Sequence, residues 1–472
     1  MKNLSIGPLM GPLFLSLACL CLVTVSGCAS LPNVQKMMGH VLSSSDQPTK
    51  IMGPKGELSS KTSKTMIKRL EGQVDATKLL EQQVQLMQAV DYGSLLVAGN
   101  KVTLLIDGQA TYAAMFEAIQ NAKDHINFET FIFEDDEVGK RFSDLLIRKS
   151  AEGVHVNLIY DSFGSHQTPV SFFQRLRDGG VKVIEFNPVN PGKVIAGKKW
   201  SLIHRDHRKI LVVDGAVAFT GGVNISRVYS GSSAIRSRGG KKGEPWRDTH
   251  VRIEGPAALR LQWQFMNTWE RQKGPALPSK DYFPYVEQAG NTLVRVVGSL
   301  PGERNRLIFM MYMSAITHAE NSIYLTTPYF LPDDQLLKAL TEATARGVDV
   351  KILLPGFSDS VLVFYASRHY YSRLLKAGVQ LFERRGGMLH AKTAVIDDVW
   401  STIGSSNLDT QSFLTNDEAN VVILGRDFAD NMQAMFERDL EDSDQITLEE
   451  WEKRPFDNHL KEDFSRLFKH WL

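Results

Sequence analysis

Residues 207–224, HRKILVVDGAVAFTGGVN, and residues 390–407, HAKTAVIDDVWSTIGSSN, carry the same reactive residue types at the same spacing. In each run a His is followed by Lys two positions on, Asp seven on, a Gly-Gly or Gly-Ser pair, and Asn seventeen on. An imidazole can attack phosphorus as a nucleophile, and a second imidazole can protonate the leaving alkoxide and then deprotonate an incoming hydroxyl. Such a reaction needs two histidines, His207 and His390, one from each run. The ammonium groups of Lys209 and Lys392 and the amides of Asn224 and Asn407 would hold non-bridging oxygens and absorb charge in the transition state. Two lysines beside two histidines repel a divalent cation, so the set predicts neither a metal nor another cofactor.

Each imidazole also needs its other ring nitrogen fixed by an acceptor. The segment WRDTHVRI (246–253) aligns with NDEANVVI (416–423), which makes Asp248 and Glu418 the candidate orienting carboxylates. Asp214 and Asp397 complete the repeated set. At strand ends beside turns they read as architectural, tying turn amides together.

The elements that must position these residues are themselves repeated. GVHVNL precedes IYDSFGS in the first half and GVDVKI precedes LLPGFSDS in the second; GGVKVIEF (179–186) is echoed by AGVQLFER (377–384), and INFETFIFEDD (126–136) by IYLTTPYFLPD (323–333). Short β-branched runs alternate with helical patterns, which is the signature of α/β units. Lys209–Val213 and Thr393–Ile396 are predicted strands, each followed by a tight turn and a second strand, 217–220 and 400–403. Alternation along an extended chain would put His207 and Lys209 on one face.

The double H-x-K-x4-D-x6-G-[GS]-x-N signature resembles that of the phospholipase D superfamily. The resemblance implies two tandem α/β/α sandwich domains packed as a pseudo-twofold duplicate with one shared active site and no metal requirement. Within the superfamily, residues 91–472 look like the bacterial cardiolipin synthases, on LLIDGQATYAAMFEAIQNAKDHINFETFIFEDDEVG, WRDTHVRIEGP, TPYFLPDD and YASRHYYSRLLKAGVQLFE. That resemblance implies that His207 attacks a phosphodiester to give a phosphatidyl-histidine while His390 protonates the departing glycerol. The hydroxyl of a second lipid, activated by His390, would then release the new diester. Phosphatidylglycerol is the implied donor, and phosphatidylglycerol or phosphatidylethanolamine the implied acceptor. Water as acceptor would make the protein a phospholipase D or other phosphodiesterase. An inactive membrane-anchored binding protein is disfavoured by the intact His, Lys and Asn in both runs.

Composition and the N-terminus place this chemistry at a membrane. With 472 residues, 43% hydrophobic and 23% charged, the chain is globular and long enough for two domains. Lys2, the apolar run LFLSLACLCLVTV and the ending Val25-Ser26-Gly27-Cys28 describe a secretory signal (1–27) that resembles a bacterial lipobox, with Cys28 as the lipid anchor; an uncleaved membrane anchor is the alternative, and either tethers the chain to a membrane. Cys19 and Cys21 lie inside that leader, so one thiol would remain after processing and no intrachain disulfide can form. Ala29 after the anchor is not an acidic retention signal, which favours the periplasmic face of the outer membrane in a two-membrane cell envelope. A flexible tether (28–65), an N-terminal helical segment (66–100) and two domains (101–285 and 286–472) are expected to follow.

The net charge is +1, and the chain without its leader is neutral. A nucleic-acid partner needs a broad basic surface, so none is expected. The local basic features are the stretch AIRSRGGKKGEPW (234–246), which reads as a surface loop or, alternatively, a lid over an anionic head group, and a run of Lys198, Lys199, His204, Arg205 and Arg208, which reads as a solvated face or a basic rim beside the phosphate site. SVLVFYASRHYYSRLL (360–375) and FSRLFKHWL (464–472) mix aromatic and basic residues at helical spacing, as core or interfacial helices do.

Overall fold

The computed structural model describes residues 31–34, 36–37, 39, 49–74, 77–90, 94–190, 192, 201, 203–231, 244–303 and 306–468. The signal segment, Cys28, Lys198, Lys199, most of the 234–246 loop and residues 469–472 lie outside the described residues.

Chain organisation differs from the sequence expectation at the start. Strands β1 (Ile51–Gly53) and β2 (Gly56–Glu57) and the helix Ser60–Glu71 occupy what the composition suggested was tether. Ile51 is fully buried, and β1 pairs in parallel with Leu96 and Val97 of β3 (Leu96–Ile106), so a polar, Gly- and Lys-containing segment is held by backbone pairing instead of side-chain periodicity. The expected boundary at residue 101 falls inside β3. That strand serves both halves: its start pairs with β10 (Thr292–Ser299), and Lys101–Ile106 pair with β9 (Thr249–Glu254).

The repeated sequence folds into repeated topology. In the first half β4 (His125–Thr130), β5 (His155–Asp161) and β6 (Lys182–Phe186) run parallel, and β7 (Ile210–Val213) and β8 (Val217–Gly221) continue the sheet antiparallel to β9. In the second half β11 (Ser322–Thr326), β12 (Asp349–Pro355) and β13 (Gln380–Arg384) run parallel. There β14 (Thr393–Ile396), β15 (Trp400–Gly404), β16 (Glu418–Leu424) and β10 follow antiparallel, and β17 (Ser443–Ile446) is added at the β13 edge. The parallel strands are largely buried, and β4 (HINFET) is buried at every position although only two of its six residues are apolar, so Asn127 is held by side-chain hydrogen bonds to Gln262 and Asn157.

Between the halves lies one core. Ile210, Val212, Val251 and Ile253 of the first sheet pack in the same cluster as Val395, Ile403, Val421 and Ile423 of the second. Pro32–Leu472 accordingly forms one compact unit. The pairwise merging of two apolar faces holds the ends of β7 and β14 next to each other, and the H-x-K segments sit at those ends.

Candidate active site

Each H-x-K segment lies immediately ahead of its strand, where the sequence reading placed Lys209 within one, and is fastened to the opposite half. His207 N–H donates to Asp417 O at 2.9 Å, and Asp206 pairs with Asp417 as an isolated parallel bridge. Symmetrically, His390 N–H donates to Arg247 O at 2.7 Å beside the Arg247 and Leu389 bridge. The carboxylate after each bridging residue then reaches the histidine of the other half. His207 Nδ1 lies 3.0 Å from Glu418 Oε1, and His390 Nδ1 lies 2.7 Å from Asp248 Oδ2. With Nδ1–H donated to a carboxylate, Nε2 is the reacting atom of each ring, carrying a lone pair when the ring is neutral and an N–H when it is protonated.

The Gly-Gly and Gly-Ser pairs have a geometric reason. A Cβ on Gly222 would stand 2.1 Å from Asp248 Oδ1, so only glycine leaves room for the shorter carboxylate. Ser405, at the matching position, instead donates its hydroxyl to Glu418 Oε2.

Asp214 and Asp397 hold the turns. Asp214 accepts the backbone N–H groups of Lys123, Asp124 and His125 at 2.8, 2.8 and 2.9 Å, and Asp397 those of Glu320, Asn321 and Ser322 at 2.8, 2.7 and 2.9 Å. Both adopt positive φ, 52° and 51°, followed by Gly215 and Asp398 also at positive φ, which is the geometry of hairpin turns with two left-handed central residues. The repeated Asp therefore stitches the H-x-K hairpin to the start of the neighbouring parallel strand and does not face the histidines.

Electrostatically the two runs form one centre. Burial pushes Lys209 down to about 7, against the pull of Glu418 and helped by Lys392. Lys392 falls to about 8, again chiefly by burial, with Asp248 and Glu418 opposing. Each ammonium donates to the backbone carbonyl of the His two residues before it, Lys209 at 2.6 Å. Burial also lowers both imidazoles, His390 well below its ordinary value, and the charges of Lys392, Lys209 and His207 all bear on His390. Burial raises Asp248 to about 6 against the attraction of Lys392. Burial acts on Glu418 in the same direction, yet its carboxyl stays below the usual range because His207, Lys209 and Ser405 outweigh it.

Two asparagines differ from the simple expectation. Asn224 donates through Nδ2 to Tyr229 Oη at 3.0 Å and accepts from Ile132 N–H at 3.2 Å, so it fixes Tyr229, whose hydroxyl lies 3.4 Å from His390 Nδ1. Asn407 Oδ1 is buried without a hydrogen-bond partner among the described residues.

The basic rim is also corrected. Arg205 and Arg208 are buried: Arg205 lies 3.6 Å from Asp161, and Arg208 donates to Glu418 O, Thr268 Oγ1 and Ser299 O. His204 is paired with Asp417 at 2.7 Å. Arg208 and His204 brace the 417–418 backbone that carries the orienting carboxylate, and Arg205 ties down the Asn187 and Ser201 carbonyls.

Sequence reasoning missed the aromatic walls. The Phe131 ring meets His207 edge-on at 5.0 Å, and Trp246 lies 5.3 Å from the His390 ring. Neither follows from the repeat, because Pro328 stands where Phe131 would recur in the aligned INFETFIFEDD and IYLTTPYFLPD segments, and Asn416 where Trp246 would.

Known proteins resemble this chain in sequence and fold. The family described as "Cardiolipin synthase, PLD-like domain" matches residues 115–231 and 312–440. A cardiolipin synthase of Alkalihalophilus pseudofirmus is 37% identical over 370 residues, covering 78% of this chain and 71% of its own. The chain belongs to the PLD-like cardiolipin synthase family. Cardiolipin synthase A of Pseudomonas putida is likewise 39% identical over 356 residues, 75% of this chain and 71% of the relative. The fold extends further: phosphatidylserine synthase of Haemophilus influenzae superposes with a TM-score of 0.56 at 15% identity, over 79% of this chain and 95% of that one. For a PLD-like cardiolipin synthase family member, the crossed His and carboxylate pairs are the geometry that makes two half-sites a single centre.

Proposed function

We propose that the protein is a phosphatidyltransferase that makes cardiolipin. The supporting observation is a buried pair of imidazoles, each oriented by a carboxylate of the other half and flanked by two lysines, in a chain related to curated cardiolipin synthases. His207 Nε2 attacks the phosphorus of phosphatidylglycerol, forming a P–N bond as the P–O bond to glycerol breaks, and His390 gives the leaving glycerol its proton. The neutral His390 then takes the proton of a lipid hydroxyl, whose oxygen attacks the phosphorus and releases His207. Lys209 and Lys392 carry the charge of the non-bridging oxygens, in surroundings where ion pairs are stronger than in water. Phe131, Trp246 and Tyr229 wall the histidines and reduce the access of water, which favours transfer over hydrolysis.

Cys28 anchors the chain to the membrane by lipidation, on the periplasmic face of the outer membrane where the cell has two. The lipobox-like sequence supports this placement. Among the described residues no helix is long and apolar enough to cross a membrane.

The test is lipid mass spectrometry after incubating the membrane-embedded protein with phosphatidylglycerol alone and with added phosphatidylethanolamine, beside His207→Ala. Cardiolipin from the intact protein and not the variant supports transfer, and a gain with the second lipid identifies that acceptor. Phosphatidic acid without cardiolipin makes water the acceptor and overturns the proposal.

A further inference from the structure

The helix Phe456–Arg466 is amphipathic with its faces reversed. Its apolar residues Phe456, Leu460 and Phe464 are 75%, 57% and 59% exposed, and Leu467 just past its end is 74% exposed. They recur at i, i+4 and i+8, so they form one stripe. The inward face is polar: Glu462 and Ser465 are buried, with Glu462 paired to Arg454 at 2.9 Å. A contiguous exposed apolar stripe of this kind marks a surface that meets a partner or a membrane.

The place of this helix indicates the cover. His369 Nδ1 meets Asp463 at 3.0 Å, and the adjacent Tyr370 feels the charges of Arg466 on the C-terminal helix and of Asp334 and Asp333. Next to them, Gln335 donates to Pro32 O at 3.0 Å and accepts from Val34 N–H at 3.1 Å. The first described residues of the chain thus meet the start of the Asp334–Ala345 helix, whose Asp333 and Asp334 act on the same Tyr370 as Arg466 of the C-terminal helix. Cys28 is four residues before Pro32, a reach of at most about 14 Å even when fully extended.

The same surface adjoins the reaction centre. The helix Val361–Arg368 packs against the C-terminal helix and exposes Val361. It follows Asp359, which accepts from Tyr329 Oη at 2.7 Å and whose charge acts on His390 and Lys392; Phe357 is exposed just before it.

We infer that the exposed stripe of the Phe456–Arg466 helix, continued by Val361 and Phe357, is a lipid-docking face that lies in the bilayer interface and brings the mouth of the site to its substrates. The inference rests on the lipid-transfer reading for the site and on the Cys28 anchor proposed above. Insertion of such a stripe to the depth of the acyl-chain boundary is the behaviour of interfacial helices. A second anchor beside the N-terminal one orients the body, because two points of attachment restrict its tumbling over the membrane.

Full-length protein and the triple variant Leu460→Asp, Phe464→Asp, Leu467→Asp should be compared on phosphatidylglycerol vesicles and on short-chain phosphatidylglycerol below its micelle-forming concentration. The expected result is a loss of at least tenfold on vesicles with unchanged turnover of the monomeric lipid. Equal turnover on vesicles, or an equal loss on both substrates, overturns docking. A readout independent of activity is a fluorophore at Phe464→Cys, with Cys19 and Cys21 replaced by Ser, against lipids carrying nitroxide quenchers. Strong quenching at position 464 and none at an Asp178→Cys control supports docking. Absence of quenching overturns it, and shielding that instead grows with protein concentration assigns the stripe to a second copy of the chain. A wild-type protein that turns over neither lipid form contradicts the transfer reading alone, and quenching still decides the docking face.

Discussion

His390 Nδ1 and Asp248 Oδ2 are 2.7 Å apart although 142 positions separate them, and His207 and Glu418 form the reciprocal pair across 211. Neither half-site is complete alone. Replacing the carboxylates by amides, Asp248→Asn or Glu418→Gln, keeps the shape but removes the negative charge that stabilises the imidazolium and puts an NH2 donor in place of one acceptor oxygen, so the ring is no longer held in one tautomer. Steady-state kinetics should show kcat reduced about 100-fold with KM little changed, as for other groups that orient an imidazole.

Gly222 offers an independent way to perturb the same pair. In Gly222→Ala the new methyl would meet Asp248 Oδ1 at 2.1 Å and the carboxylate at nearly every other approach, so the acceptor must move away from His390. The variant should lose kcat to within about tenfold of Asp248→Asn. Ser405→Ala, which removes only a donor to Glu418, should lose less.

The pH dependence follows from burial. His207 must be neutral to attack, and burial lowers its pKa, so the acid limb of kcat/KM should lie below the ordinary histidine value of about 6.5. His390 must carry the proton that it gives to the leaving glycerol, and burial with the charges of Lys392, Lys209 and His207 lowers its pKa well below the ordinary value, so the alkaline limb of kcat/KM should begin below about 6.5 and steepen near 7 and 8, where Lys209 and Lys392 lose the protons that hold the phosphate. A bound phosphodiester anion favours the ammonium forms. The alkaline limb of kcat should therefore lie above that of kcat/KM, and Lys209→Arg should flatten it while lowering the rate.

Asp397 makes its contribution to folding. Asp397→Ala strands three backbone donors at the start of β11 and places a Cβ-bearing residue without local hydrogen bonds at positive φ. Calorimetry should show a loss of about 3 kcal/mol, with kcat per folded molecule little altered. Asp397→Asn, which tolerates the left-handed conformation and retains one acceptor, should recover part of the stability.

Much of this architecture was legible because duplication writes each element twice. The parallel strands, the two hairpins and the aligned carboxylates Asp248 and Glu418 could be located by comparing one half with the other. What the repeat could not convey is which carboxylate serves which histidine, since alignment relates equivalent positions and the pairing crosses between halves. Tyr229 and Trp246 escaped because they occur in one half only. The burial of Arg205 and Arg208 was hidden for a different reason: their partners Asp161, Thr268 and Ser299 are distant in sequence, and a run of cations alone reads as a wet surface. The segment 51–57 lacked periodicity because two short strands at a sheet edge are held by backbone hydrogen bonds.

Rapid quenching of the protein during turnover of phosphatidylglycerol, followed by peptide mapping under alkaline conditions that preserve a phosphoramidate, tests the central claim most directly. The mechanism predicts a phosphatidyl adduct on the peptide that contains His207, absent from His207→Ala and discharged on adding unlabelled acceptor lipid. An adduct on His390, or cardiolipin formed with no adduct on either histidine, would contradict it.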